Sequence, residues 1–271
     1  MAAYEHNCLG IAKGAAYSAL LSFFPVLTAT AAILVQIQAQ PVSRVVSRAL
    51  RQVVPPGTED FVVERFRAGG QRPAALLVAA SLISLWAASG VVKSLMEGFR
   101  AAYRISVGRP FLRHQSVAVL LVLAAAFPGL AASAFVLFGA RVEQRLLGWL
   151  GLVPAGADLG SWVLLVAGRG LRFTVALGTI VLVTATMYYV GPNRPQRWRL
   201  VFPGAMLATG LWLVVMLGFG WYVRHIADYN VMYGSIGAVI ALLGWMYVQS
   251  LVALIGCEFN AAYENTHRPK G

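Results

Sequence analysis

Residues 204–221 carry one polar side chain, Thr209, and residues 234–257 carry only Ser235, Gln249 and Ser250 when tyrosine is counted as apolar. Each run is close to the ~20 apolar residues that a helix needs to cross a bilayer. The connection between them, residues 222–233, is short, so the two runs read as a helical hairpin inside a membrane. This feature removes most architectures from consideration, because backbone placed in hydrocarbon must satisfy its own N–H and C=O groups. The ends of the hairpin are polar and distinctive: Tyr229-Asn230, Tyr233-Gly234-Ser235-Ile236-Gly237 and Gly256-Cys257-Glu258-Phe259-Asn260-Ala261.

Four apolar runs precede the hairpin, at 15–36, 74–96, 116–139 and 173–190. With 203–222 and 234–257 they predict an all-α chain, one membrane domain over 1–271 with six transmembrane helices. Pro25 and Pro128 sit inside the first and third runs. Proline removes an intrahelical hydrogen bond, so each either kinks its helix or is tolerated as in other membrane helices. Between the first two runs, Arg44, Arg48 and Arg51 share one helical face, and Val42, Val45, Val46, Ala49 and Val53 share the other. That pattern predicts a short helix lying in the headgroup region, ended by Pro55-Pro56-Gly57. Residues 60–67 predict a second one. Two apolar pieces at 146–153 and 162–167 are too short to cross and are expected to be interfacial or re-entrant.

Charge agrees with this class. Only 12% of residues are charged, about half the share in soluble domains. Lys and Arg number 22 against 10 Asp and Glu, and they lie between the apolar runs. Membrane lipids with anionic headgroups are therefore the expected partners, and nucleic acid is not. Six spans put both termini on one side. The 22 cations divide evenly between the two faces, so density decides. The short basic connections at 97–115 and 191–200 place that side, and the termini, in the cytoplasm. The first residues lack a basic stretch followed by an apolar core, so no cleaved signal peptide is expected.

Catalytic patterns are missing from the sequence. His6, His114, His225 and His267 are isolated, and Asp60, Asp158 and Asp228 never cluster. No metal-ligand spacing, phosphate loop or nucleophile elbow occurs. Cys8 and Cys257 imply neither a disulfide framework nor a metal centre. The chain is expected not to be an enzyme and to hold no cofactor.

The motifs themselves resemble a known family. Ala16-Tyr17-Ser18-Ala19-Leu20-Leu21-Ser22-Phe23-Phe24-Pro25 is similar to the first-helix motif of the YihY/BrkB family of bacterial inner-membrane proteins. Trp86-Ala87-Ala88-Ser89-Gly90 with Tyr103 is similar to its second. Pro192-Asn193-Arg194, Pro203-Gly204-Ala205, Trp212, Tyr229-Asn230, Tyr233-Gly234-Ser235, Gly237-Ala238-Val239-Ile240, Trp245-Met246-Tyr247 and Glu258-Phe259-Asn260-Ala261 follow in order. The resemblance covers about residues 11–264 and implies a six-span protein of the bacterial inner membrane, sometimes described as transporter-like. An older ribonuclease BN label for the family is regarded as a misassignment. This chain departs from the pattern at Ser18, where an aromatic is frequent, and at Arg100, where a smaller polar residue is. The amphipathic N-terminal helix of many members is short or missing here.

Polar groups at membrane depth are the functional leads, because they are costly there and usually face a bundle or a wet cavity. Gln249 either bonds a neighbouring helix or lines a cavity. Glu258 is either an interfacial carboxylate, solvated or paired with an arginine such as Arg194, or a proton or cation site, and Asn260 binds either the same ion or the same partner helix. Lys93 either snorkels to the headgroups or pairs with Glu97. Tyr17, Ser89, Asn230, Tyr233 and Ser235 complete the set that could line a polar cavity. Gly204 and Ala208 on the fifth helix, and Gly234, Gly237, Ala241 and Gly244 on the sixth, are expected to let helices approach closely. The leading expectation is an inner-membrane protein that binds or moves a small solute or lipid through that cavity. The alternative is a structural or envelope-interaction protein without transport. A membrane-tethered ribonuclease comes last.

Overall fold

The computed structural model describes residues 8–36, 74–149, 159–225 and 234–267. They form six helices: α1 Cys8–Gln36, α2 Ala74–Ala102, α3 Phe111–Trp149, α4 Leu159–Val190, α5 Trp198–His225 and α6 Gly234–His267. No strand occurs among the described residues. All six helices are long and apolar enough to cross a membrane. Both expected interfacial helices, at 42–53 and 60–67, lie outside the described residues.

The helices overrun the apolar runs, since hydropathy marks only the part inside hydrocarbon. The expectation for 146–153 and 162–167 is corrected. Residues 146–149 continue α3 and residues 162–167 belong to α4. The stretch Arg141-Val-Glu-Gln-Arg-Leu-Leu that leads into the first piece is mostly strong helix formers, so nothing ends the helix at the membrane face. Pro25 and Pro128 both lie within continuous helices. Pro203, taken as the start of the fifth span, instead sits inside α5, which begins at Trp198.

Consecutive helices pack side by side, and α6 closes the bundle against α1 and α2. α1 and α2 run antiparallel: Ser84 Oγ lies 2.7 Å from the Pro25 carbonyl, and a Cβ on Gly90 would sit 3.8 Å from Ser18 Cβ. A Cβ on Gly98 would come within 3.1 Å of Ile11. The small Ser18 suits this approach. α5 and α6 are likewise antiparallel, with Gly204 and Ala208 against Gly256.

In α3, α4 and α5 packing is concentrated at one end. The near end holds the two short connections, 103–110 and 191–197, with the start of α1 and the close of α6. Phe99 and Tyr188 meet edge to face there, centroids 5.2 Å apart. Leu254, Val201 and Cys257 are fully buried around them, and Met96 is fully buried in a second cluster with Val92, Ala118 and Leu121. Among the described residues, the buried side chains of α3 are Ala118 and Leu121, and those of α4 are Ala185 and Tyr188. On α5 the last one is Thr209. Of the side chains described in the far parts of α3, α4 and α5, none is buried. The near end is thus a packed floor, beyond which α1 and α2 still meet, with Ser22, Ala29 and Ser84 buried.

Candidate functional site

The polar groups of the near end start with how α4 stops. Its last carbonyls have no intrahelical partner. Gly191 N–H donates to the Met187 carbonyl at 2.8 Å. Gln196 Nε2 donates to Tyr188 and Tyr189 at 2.6 and 2.8 Å. Arg109 donates to Val190 and Gly191 at 2.5 and 2.9 Å. A cation at this position also meets the negative end of the helix dipole. Burial, together with Arg113 and Arg100 nearby, lowers the Arg109 pKa.

Pro192-Asn193 then turns the chain. Asn193 takes a left-handed conformation, φ 62°, which asparagine tolerates better than most residues. The turn presents Arg194, which pairs with Glu264 and stacks 4.5 Å over the Tyr103 ring. Burial, with Cys257 and Glu264 adding to it, pushes the Tyr103 hydroxyl well above the ordinary tyrosine range. Tyr103 therefore stays a neutral face for the guanidinium. Arg194 thus pairs with Glu264, because the turn at Asn193 brings the guanidinium beside the last turn of α6.

Glu258 lies half-buried one to two turns earlier on α6, where the Cys8 thiol approaches its carboxylate at 3.5 Å. Asn260 is fully buried. Its Oδ1 accepts from Gly204 N–H at 2.7 Å and its Nδ2 donates to the Val201 carbonyl at 2.9 Å. This two-point clamp serves α5 next to Pro203, which explains why the helix survives a proline in its second turn. Tyr188 adds a third tie, its hydroxyl donating to the Ala253 carbonyl at 2.6 Å.

A separate relay joins α2 and α3. Lys93 Nζ donates to Gln115 Oε1 at 2.9 Å, Gln115 Nε2 donates to Ser89 Oγ at 2.9 Å, and Ser89 donates to the Trp86 carbonyl at 2.6 Å. Ser89 is fully buried. Lys93 thus reaches across to Gln115 rather than along its own helix to Glu97.

The remaining candidates sit elsewhere. Tyr17 is 61% exposed on the outside of α1, away from any interior site. Gln249 lies about two turns before Gly256, on the same side of α6, and both polar atoms of its amide are buried without a hydrogen-bond partner. Asn230 and Tyr233 lie outside the described residues. Ser235 is in the first turn of α6, and its side chain lies outside the described residues. Ser89, Glu258 and Asn260 therefore belong to three different helix contacts rather than to one cluster of mutual bonds.

Of the small residues, Gly204 and Ala208 are buried against α6. Gly237 is buried and Ala241 half-buried, and Gly234 opens α6. Gly244 is corrected: it is exposed, and a Cβ there would meet nothing within 4 Å. The glycine that does face α5 is Gly256, where a Cβ would lie 2.7 Å from Ala208 Cβ and 2.4 Å from Tyr188 Oη. Its place in the distinctive Gly256-Cys257-Glu258 stretch was the available signal. Arg109, Gln196 and Gln115 had none.

Comparison with known proteins bears on this arrangement. The family model described as "Virulence factor BrkB" matches residues 2–271. The chain belongs to the BrkB family. It is 26% identical over 277 aligned residues to a UPF0761 membrane protein of Aeromonas salmonicida, covering 98% of this chain and 88% of that one. It is 28% identical over 190 residues to the ribonuclease-like protein YfkH of Bacillus subtilis, covering 70% of this chain and 66% of the relative. A UPF0761 membrane protein of Tolumonas auensis is 38% identical over 91 residues, or 34% of this chain and 29% of that one. No solved structure matches the chain. Among the described residues of this BrkB-family chain, no group of three or more His, Cys, Asp or Glu side chains could hold a metal ion.

Proposed function

We propose that the chain is a bacterial inner-membrane protein that takes up a small solute or a lipid between its helices, from the end opposite the short connections. One observation carries the reading: Gln249 has a buried amide with no partner, and the far halves of α3, α4 and α5 hold no buried side chain among the described residues. A buried amide without a partner costs about 1–3 kcal/mol, and a ligand's polar group would offset it. Glu258, half-buried at the floor, is the ionisable group best placed to couple a proton or cation to such uptake.

A second reading, a structural protein without transport, draws on the clamp at Asn260 and the relay at Ser89, whose polar atoms are satisfied within the chain. A nitroxide at Val215, which faces the core from the far half of α5, separates the two. On the uptake reading, a water-soluble relaxant reaches it in reconstituted protein. Contact with lipid-dissolved oxygen alone sinks that reading and favours the structural one.

The reading also places both termini and the short connections in the cytoplasm, on their density of cations. Arg197 is exposed in the second of these connections. With Cys8 and Cys257 replaced, Arg197→Cys resists a membrane-impermeant thiol reagent in intact cells and reacts once the membrane is opened. Reaction in intact cells reverses the orientation.

A further inference from the structure

The connection between α2 and α3 gathers cations that the polar ties of the interior do not use up. Arg100 lies in the last turn of α2. Arg104 takes the left-handed position just past it, φ 53°. There Arg104 N–H bonds the Ala101 carbonyl and Ile105 N–H bonds the Arg100 carbonyl, the double bond pattern that fixes a helix end. Arg109 follows, and Arg113 lies in the first turn of α3. Arg113 and Arg100 both act on Arg109. Lys93, Arg100 and Arg109 all act on His114, where the one opposing carboxylate is Glu97.

These cations are not equally engaged. Arg109 caps α4, and Lys93 bonds Gln115. Arg100 Nη2 reaches the Ser106 carbonyl at a long 3.3 Å, its Nη1 lies where a Cβ on Gly108 would come within 2.7 Å, and its Nε has no acceptor. Arg113 is exposed. Pro110, just before α3, has no side-chain oxygen to cap the first N–H groups of that helix.

The surroundings say what the anion carries. Val107, Phe111 and Leu112 stand 75%, 78% and 77% exposed beside these cations. The apolar spans end at Ala102 and resume at Phe111, so the connection lies at a membrane face. Cations next to exposed apolar side chains at that depth match a phosphate joined to acyl chains.

We propose that the α2–α3 connection binds an anionic phospholipid, with Arg100 and Arg113 holding its phosphate and Val107, Phe111 and Leu112 lying against its chains. The site sits at the closed end and is independent of the uptake reading. Purified full-length protein in neutral detergent is titrated with phosphatidylglycerol, phosphatidylcholine and inorganic phosphate, and bound species are counted by native mass spectrometry. One phosphatidylglycerol binds in preference to phosphatidylcholine. Arg113→Gln weakens it roughly fivefold, and Arg100→Gln with Arg113→Gln abolishes the preference. Arg197→Gln with Arg199→Gln, which removes two cations from the other short connection, leaves it unchanged. Because Arg100 touches the connection's backbone, the exposed Arg113 variant carries the test if the double variant melts early. Equal binding of phosphatidylcholine, or equal loss in the Arg197/Arg199 variant, overturns the site. Displacement of the lipid by inorganic phosphate overturns the lipid assignment.

Discussion

Gly204→Ala and Gly256→Ala each lower the melting temperature substantially, while Gly244→Ala leaves it unchanged. A Cβ on Gly204 would lie 2.1 Å from the Gly256 carbonyl oxygen and 2.5 Å from Asn260. A Cβ on Gly256 would lie 2.7 Å from the Gly204 carbonyl oxygen. In each case one obstacle is a carbonyl oxygen of the facing helix, which cannot swing aside as a side-chain tip can, and the others are buried side chains, Asn260 at Gly204 and Tyr188 and Ala208 at Gly256. The helices must part, and the Asn260 clamp and the Tyr188 bond part with them. Overpacking costs about 1–3 kcal/mol when side chains can adjust, so this case lies at or beyond the upper end. Melting followed by size-exclusion chromatography in detergent shows a fall of about 10 °C or more. Stability unchanged in both variants would mean that α5 and α6 do not meet at these glycines.

Asn260→Ala comes next, at about 2–4 kcal/mol, since it removes a donor and an acceptor from buried backbone next to Pro203. Asn260→Asp separates this structural role from ion binding. Aspartate keeps the acceptor for Gly204 N–H but brings no donor to the Val201 carbonyl and adds a buried charge. It is therefore at least as destabilising as alanine when melting is followed near neutral pH. If Asn260 instead bound a cation, aspartate would strengthen the site, and the variant would melt higher in the presence of that ion. A stabilised Asn260→Asp protein contradicts the clamp.

The six helices were legible because hydrocarbon demands long apolar runs, and only their ends were misjudged. The packing faces were harder. Gly237, Ala241 and Gly244 recur at helical spacing, yet Gly244 points outward. Lipid chains are as apolar as a protein interior, so hydropathy does not say which side of α6 meets protein and which meets lipid. Polar residues carried more information: Ser89, Glu258 and Asn260 were singled out, and each makes a contact with another helix. Their partners were not legible. The pairing of Arg194 with Glu264 depends on a left-handed Asn193 that composition does not reveal. Arg109 and Gln196 cap α4 from separate connections, a relation that exists only once the chain has folded.

The one-ended packing of α3 and α4 has a consequence for how these helices cross the membrane. On α4 the apolar span Val166–Val190 covers 25 residues and on α3 the span Phe111–Val136 covers 26, about 38–39 Å of helix each, against the ~30 Å thickness of the hydrocarbon layer. Both helices therefore fit that layer only by leaning or by extending through it. Their buried side chains lie at the end of the short connections, so that end fixes them to their neighbours, and bilayer thickness acts on the halves beyond it.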